Sequence, residues 1–154
     1  PAAEGAHDSG PLPPPVRAHV ENLLVLRKSY FQAAATNPSA GPIVEQIDLL
    51  VINIVEFFKR LKSKAGGSQR RRAIAEYDED LGKLVAALGR DYGLDLIANP
   101  RLWDDPGERL AGIQAALQAV DAQLVDNIKQ VNARQRLDFD ARVDRLMDPR
   151  ALGG

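Results

Sequence analysis

Apolar residues recur at intervals of three and four in four stretches of this chain, with Gly, Pro and Asn punctuating the gaps. The first stretch runs from about Val16 to Ala35 and puts Val16, Val20, Leu23, Leu24, Tyr30, Phe31 and Ala34 on one face. "TNPSAGP" ends it, because the residue before a proline avoids the helical region. The second begins with Pro42 near its first helical position and stops at "AGG", residues 65–67. The third follows Ser68 as N-cap, with Ile74, Tyr77, Leu81, Leu84, Val85 and Leu88 inward and Arg72, Glu76, Glu79, Lys83 and Arg90 outward. The loop "GLDLIANPRLW" then leads to "DPGE", which reads as Asp105 at the N-cap, Pro106 at the first position and Glu108 three residues after the cap. Ile113, Leu117, Val120, Leu124, Ile128 and Val131 form a narrow seam close to a heptad. The seam fails at "NARQRLDFD", and Phe139, Val143 and Leu146 resume on a rotated face. A kink or break is expected there, with Asp138 or Asp140 capping a short final helix.

No strand-period alternation of useful length occurs. The expected fold is all-α, an antiparallel bundle of four main helices with a long C-terminal helix. Residues 1–15, rich in Pro, Ala and Gly, read as a disordered or extended leader. Residues 16–147 read as one domain and 148–154 as a short tail.

The second stretch is the most apolar. Nine of the twelve residues from Ile47 to Phe58 are large and apolar. Twelve helical residues rise only about 18 Å against a hydrocarbon core of roughly 30 Å. Asp48, Asn53 and Glu56 interrupt the run, and Lys59, Arg60 and Lys62 follow it. It does not span a membrane. Ile43, Ile47, Leu50, Val51, Ile54, Val55, Phe57, Phe58 and Leu61 cover roughly 160° of the helix, more than one neighbour can bury, and Leu49 and Ile52 lie outside even that arc. This helix is therefore either the centre of the bundle or a helix that meets another chain. In the second case Leu49, Ile52, Val55 and Phe58 are the interface candidates.

Composition narrows the function classes. With 20 Lys and Arg against 21 Asp and Glu, the net charge is -1, which gives no electrostatic reason to expect nucleic acid. There is no cysteine, hence no disulfide framework, thiolate nucleophile or Cys-containing zinc site, which fits a cytoplasmic, reducing compartment. No secretory signal is visible, although the chain begins without Met and a preceding anchor would not be seen.

Candidate chemistry is sparse. His7 lies in the leader, and His19 lies beside the first apolar stripe without a sequence-evident catalytic partner. The acidic run "EYDED", Glu76 to Asp80, lacks the Glu-x-x-His pairing of carboxylate metal sites in bundles and has the spacing of surface ion pairs. Arg70, Arg71 and Arg72 open a helix against its dipole, a mild conflict that could mark an anion contact. Arg27 falls inside the first apolar stripe. It either snorkels out at the bundle end or forms a buried ion pair, with Asp48 the candidate partner. "AGGS" lacks the Lys and strand of a phosphate-binding loop, and no catalytic residue, metal ligand or cofactor is expected.

The succession of elements resembles the XpaC-like family, labelled 5-bromo-4-chloroindolyl phosphate hydrolysis proteins. "LLVLRKSY" carries a basic residue in an apolar face, a Tyr-bearing amphipathic helix follows, and "RLDFDARVDRLM" punctuates the long last helix. Over about residues 16–147 the resemblance implies a helical bacterial protein linked with toxic-anion (tellurite) resistance. The expectation is a non-enzymatic interaction or adaptor domain that binds a protein partner or its own copy. The alternative is a carboxylate-based hydrolase or ion-binding bundle, for which Glu45, Asp48 and Asp121 are the carboxylates to test.

Overall fold

The computed structural model describes residues 12–64 and 66–148, with the backbone alone at 63 and 64. Five α-helices follow one another: α1 (Pro14–Ala33), α2 (Gly41–Lys64), α3 (Gly67–Leu88), the short α4 (Gly93–Ala98) and α5 (Pro106–Met147). Single 3-10 turns, Pro38–Ala40 and Pro100–Leu102, lead into α2 and follow α4. No strand occurs among the described residues, and no helix among them is long and apolar enough to cross a membrane.

The folded part starts earlier than residue 16. Pro14 and Pro15 occupy the first turn of α1, where a missing N–H costs nothing, and Leu12 is buried in the core. Residues 1–11, including His7, lie outside the described residues. Asn37 shapes the turn into α2: its Oδ1 accepts from Ser39 N at 3.0 Å, and its Nδ2 donates to the Ile97 carbonyl at 3.3 Å.

Polar contacts give the directions of the four long helices. Gln46 Nε2 donates to the Gln114 carbonyl at 3.5 Å, Asn53 Nδ2 to Asp121 Oδ1 at 2.6 Å and Arg60 Nη1 to Asn132 Oδ1 at 2.7 Å. Residue numbers rise together, so α2 and α5 run parallel. His19 with Asp78 and Tyr30 with the Leu88 carbonyl make α1 and α3 parallel in the same way. Each long helix reverses its predecessor in the chain, but neighbours in space are not all antiparallel. α2 packs between α1 and α5, and α3 closes the opposite corner. Across the core, Phe57 and Phe58 meet Tyr77 with ring centroids 5.4 and 6.1 Å apart.

α2 is the central helix. Ile43, Val44, Ile47, Leu50, Ile54, Phe57, Phe58 and Leu61 are all buried, each contributing about 1.5–3 kcal/mol of apolar burial. Its broad apolar arc is thus consumed by two neighbours and the rings opposite. Buried partners on the other helices include Leu23, Tyr30, Leu81, Leu88, Leu117 and Leu124.

The helix starts differ from those read in sequence. α3 begins at Gly67 with Gly66 at the cap and no side-chain capping bond, so Ser68 lies inside the helix. Asp105 does stand at the N-cap of α5, but at φ 51° its backbone is left-handed and its side chain caps nothing. A capping side chain needs extended backbone at that position. The "GLDLIANPRLW" loop is more ordered than a loop: Leu96 and Ile97 are buried, and Asn99 and the Trp103 indole both donate to Asp95 at 2.8 Å. Those two donors hold the Asp95 carboxyl below its usual range.

No break interrupts the last helix. α5 runs for 42 residues, about 63 Å, while the 24 residues of α2 span about 36 Å. Neither Asp138 nor Asp140 starts a new helix, because "RQRLDFDARVD" contains no Gly or Pro and an unbroken helix satisfies every backbone group.

Candidate functional site

The side of α5 that receives α2 has a clear register. Gln46, Asn53 and Arg60 stand seven residues apart on α2 and reach Gln114, Asp121 and Asn132 on α5. On α5 that face continues by steps of three, four and seven through Asp121, Val125, Ile128 and Asn132 to Phe139, Val143 and Leu146. α2 ends at Lys64, just past the level of Asn132. Beyond that level none of the described residues of the other helices covers the face. Every residue from 132 to 147 is exposed, a helical overhang of about 24 Å. Phe139 is 62% exposed, Leu146 67% and Met147 76%, with Val143 at 39%.

The overhang's charges balance. Arg134, Arg136, Arg142 and Arg145 face Asp138, Asp140, Asp144 and Asp148 in number, and Arg136 lies 4.0 Å from Asp140 one turn on. The sequence carried the signal in the resumed stripe Phe139–Val143–Leu146. Only the structure shows that no helix among the described residues reaches it.

Arg27 and Asp48 do meet. The guanidinium grips the carboxylate through both Nε and Nη2, the latter 3.0 Å from Oδ2. This hydrogen bond raises the Arg27 pKa. Of the two readings, burial does not hold: the side chains are 36% and 41% exposed, and no charged residue is buried among those described. It straddles the rim of the α1/α2 seam, where water removes the desolvation cost and most of the Coulomb gain together. Arg27 also lies over the exposed Phe31 ring, 5.9 Å from its centroid.

The four interface candidates on α2 separate. Leu49 and Ile52 are exposed, at 54% and 62%, and Val55 is partly buried. Phe58 is fully buried against Phe57 and Tyr77 and belongs to the core, which removes it from any surface. The arginine run also divides: Arg71 and Arg72 are exposed, while Arg70 is partly covered with its Nε buried and unpartnered.

The remaining polar side chains brace helices. His19 Nε2 lies 2.7 Å from Asp78 Oδ1, tying α1 to α3, and its ring lies beside Gly82, 3.4 Å from where a Cβ would stand. Of the acidic run, Asp78 is taken by His19 and Glu79 by Lys83 at 3.2 Å. Asn127 Nδ2 donates to the Tyr77 hydroxyl at 2.6 Å and anchors α5 on α3. Burial pushes the Tyr77 phenol up to about 12, against the bond from Asn127, and burial raises the Tyr30 phenol also. Glu45, Asp48 and Asp121 are not gathered: Asp48 pairs with Arg27 and Asp121 accepts from Asn53. Among the described residues no group of three or more His, Asp or Glu is placed to hold a metal ion.

No protein-family model, curated protein or solved structure matches the chain.

Proposed function

We propose that this chain is a non-enzymatic helical interaction module that assembles through the overhang of α5. The observation behind the reading is the continuity of one face. Where α2 is present, that side of α5 is covered by an amphipathic helix; where α2 stops, Phe139, Val143, Leu146 and Met147 continue exposed. A helix anchored at one end escapes the nucleation cost, yet none of the described residues of its own bundle buries these side chains. The occupant we assign is the same helix of a second copy. Four arginines against four aspartates over residues 132–148 leave no net charge to hold two copies apart. An overlap of about 24 Å is short, so the dimer is weak and depends on concentration. An XpaC-like identity would set such a module beside toxic-anion resistance, a link that rests on the sequence pattern.

Light scattering across a sizing column tests the reading. The chain should rise from monomer towards dimer mass as its concentration increases, and Phe139→Asp should hold it at monomer mass with unchanged helicity. A chain that stays monomeric at every concentration, or dimers that survive Phe139→Asp, would remove the overhang as the assembly face.

A further inference from the structure

A cleft of about 240 Å³ opens where the end of α2, the first turns of α3 and the middle of α5 come together. Its floor is apolar: Phe57, Leu61 and Ala73 are buried there, 4%, 2% and 8% exposed. Its walls are polar, with Arg72 on α3, Arg134 on α5, and the carboxamides of Gln69, Asn127 and Gln130. Two features separate this cleft from an ordinary surface depression. The first is that two guanidiniums from different helices line one cavity, and neither has a hydrogen-bond or ion-pair partner among the described residues. Glu76 lies four residues after Arg72, a spacing that elsewhere in this chain closes the Glu79–Lys83 and Glu56–Arg60 pairs, yet here no pair forms. The second is the combination of an apolar floor with unengaged cationic walls, the arrangement that recognises an amphipathic anion.

We propose that this cleft binds a small organic monoanion, a carboxylate with a short apolar segment. The charged head engages Arg72 and Arg134, where planar guanidiniums suit a two-oxygen acceptor. The apolar segment lies on Phe57, Leu61 and Ala73. The side-chain amides of Gln69 and Gln130, free of other partners among the described residues, offer further donors. Glu76 is the single acid among the lining residues and repels a second negative group, which selects one charge over two. The volume lies below the ~300 Å³ lower end of drug-sized pockets, so the ligand is a chain of a few carbons. Arg72 belongs to the arginine run that the sequence marked. Arg134, more than sixty residues away, joins it only where α5 packs on α3, as the bond from Asn127 to Tyr77 shows. The site takes Arg134 from the first turn of the overhang, uses none of its exposed apolar residues, and does not require a dimer.

The test is a titration of the labelled chain with hexanoate, followed by amide NMR shifts, with hexanol and inorganic phosphate as parallel probes. Hexanoate should give saturable shifts concentrated at residues 57–61, 69–76 and 127–134. Arg72→Gln with Arg134→Gln should weaken the affinity by about tenfold or more, the worth of a charge-assisted hydrogen bond. Arg71→Gln, outside the cleft, should leave the affinity unchanged. Both cleft arginines are exposed, so the double variant keeps its fold, which the dispersion of the same spectra checks. Absence of saturation at millimolar hexanoate, equal binding by hexanol, equal binding by phosphate, or affinity unmoved in the double variant would each overturn the proposal.

Discussion

The two parts of α5 are one helix with two fates. From Pro106 to Val131 it is held on two sides: Ile113, Leu117 and Leu124 are buried, Asp121 accepts from α2, and Asn127 donates to Tyr77 of α3. From Asn132 to Met147 it has comparable apolar content and every residue is exposed, with no cover from the other described residues. Helical period alone therefore does not decide burial. A stripe is core only when another element is long enough to reach it, and α2 stops about 15 residues short of the end of α5.

Charge insertion breaks this contrast most severely. Ile54→Asp puts an unpaired carboxylate at a fully buried position of α2, which costs several kcal/mol out of a typical ~5–15 kcal/mol domain stability. Circular dichroism should show loss of the folded state, while the same charge at Phe139 should leave the thermal melt of the monomer unchanged. A folded, fully helical Ile54→Asp chain would sink the placement of α2 at the centre. A gentler version uses truncation. Leu124→Ala should cost about 2–5 kcal/mol by denaturant melting, and Leu146→Ala less than about 0.5 kcal/mol at concentrations where the chain is monomeric. Comparable losses at the two sites would mean that the overhang folds back onto the bundle.

A further contrast comes from pH and acts on the bundle half alone. Tyr77 titrates near 12 when folded, against an ordinary 10.0, because burial disfavours its phenolate. A raised folded-state pKa contributes stability that is complete below pH 10 and is lost as pH climbs towards 12. Tyr30 shifts in the same direction and adds to the loss. Melting followed across this window should show a falling midpoint, shallower in Tyr77→Phe. A midpoint independent of pH between 10 and 12 would contradict the burial of both phenols.

Much of the bundle was readable residue by residue. The stripes of α1, α2 and α3 name most of the buried positions, since a 3.6-residue period needs only local order to be seen. The pairing of Arg27 with Asp48 was also within reach, because a cation inside an apolar stripe needs an acceptor nearby. The choice between a snorkelling Arg27 and a buried pair stayed open, as burial depends on how far the α1/α2 seam opens to water. Phe58 looked like a candidate for a partner surface because its helix carried more apolar residues than one neighbour could cover; Tyr77 and Phe57 took it into the core. Asp105 carried the right residue type for a cap and the wrong backbone, which no sequence pattern reports.

By itself the sequence determined the four long helices and most of the residues they bury, though not the unbroken run of the last helix or the short α4, because the former follow from periodicity, punctuation and local backbone preferences. Which helix lies beside which was decided only in the tertiary structure. The parallel setting of α2 against α5, the meeting of Arg72 with Arg134 in one cleft, and the uncovered end of α5 all depend on contacts between residues some sixty or seventy positions apart. Such contacts are chosen by the joint packing of every helix at once, so no single stretch of the chain encodes them.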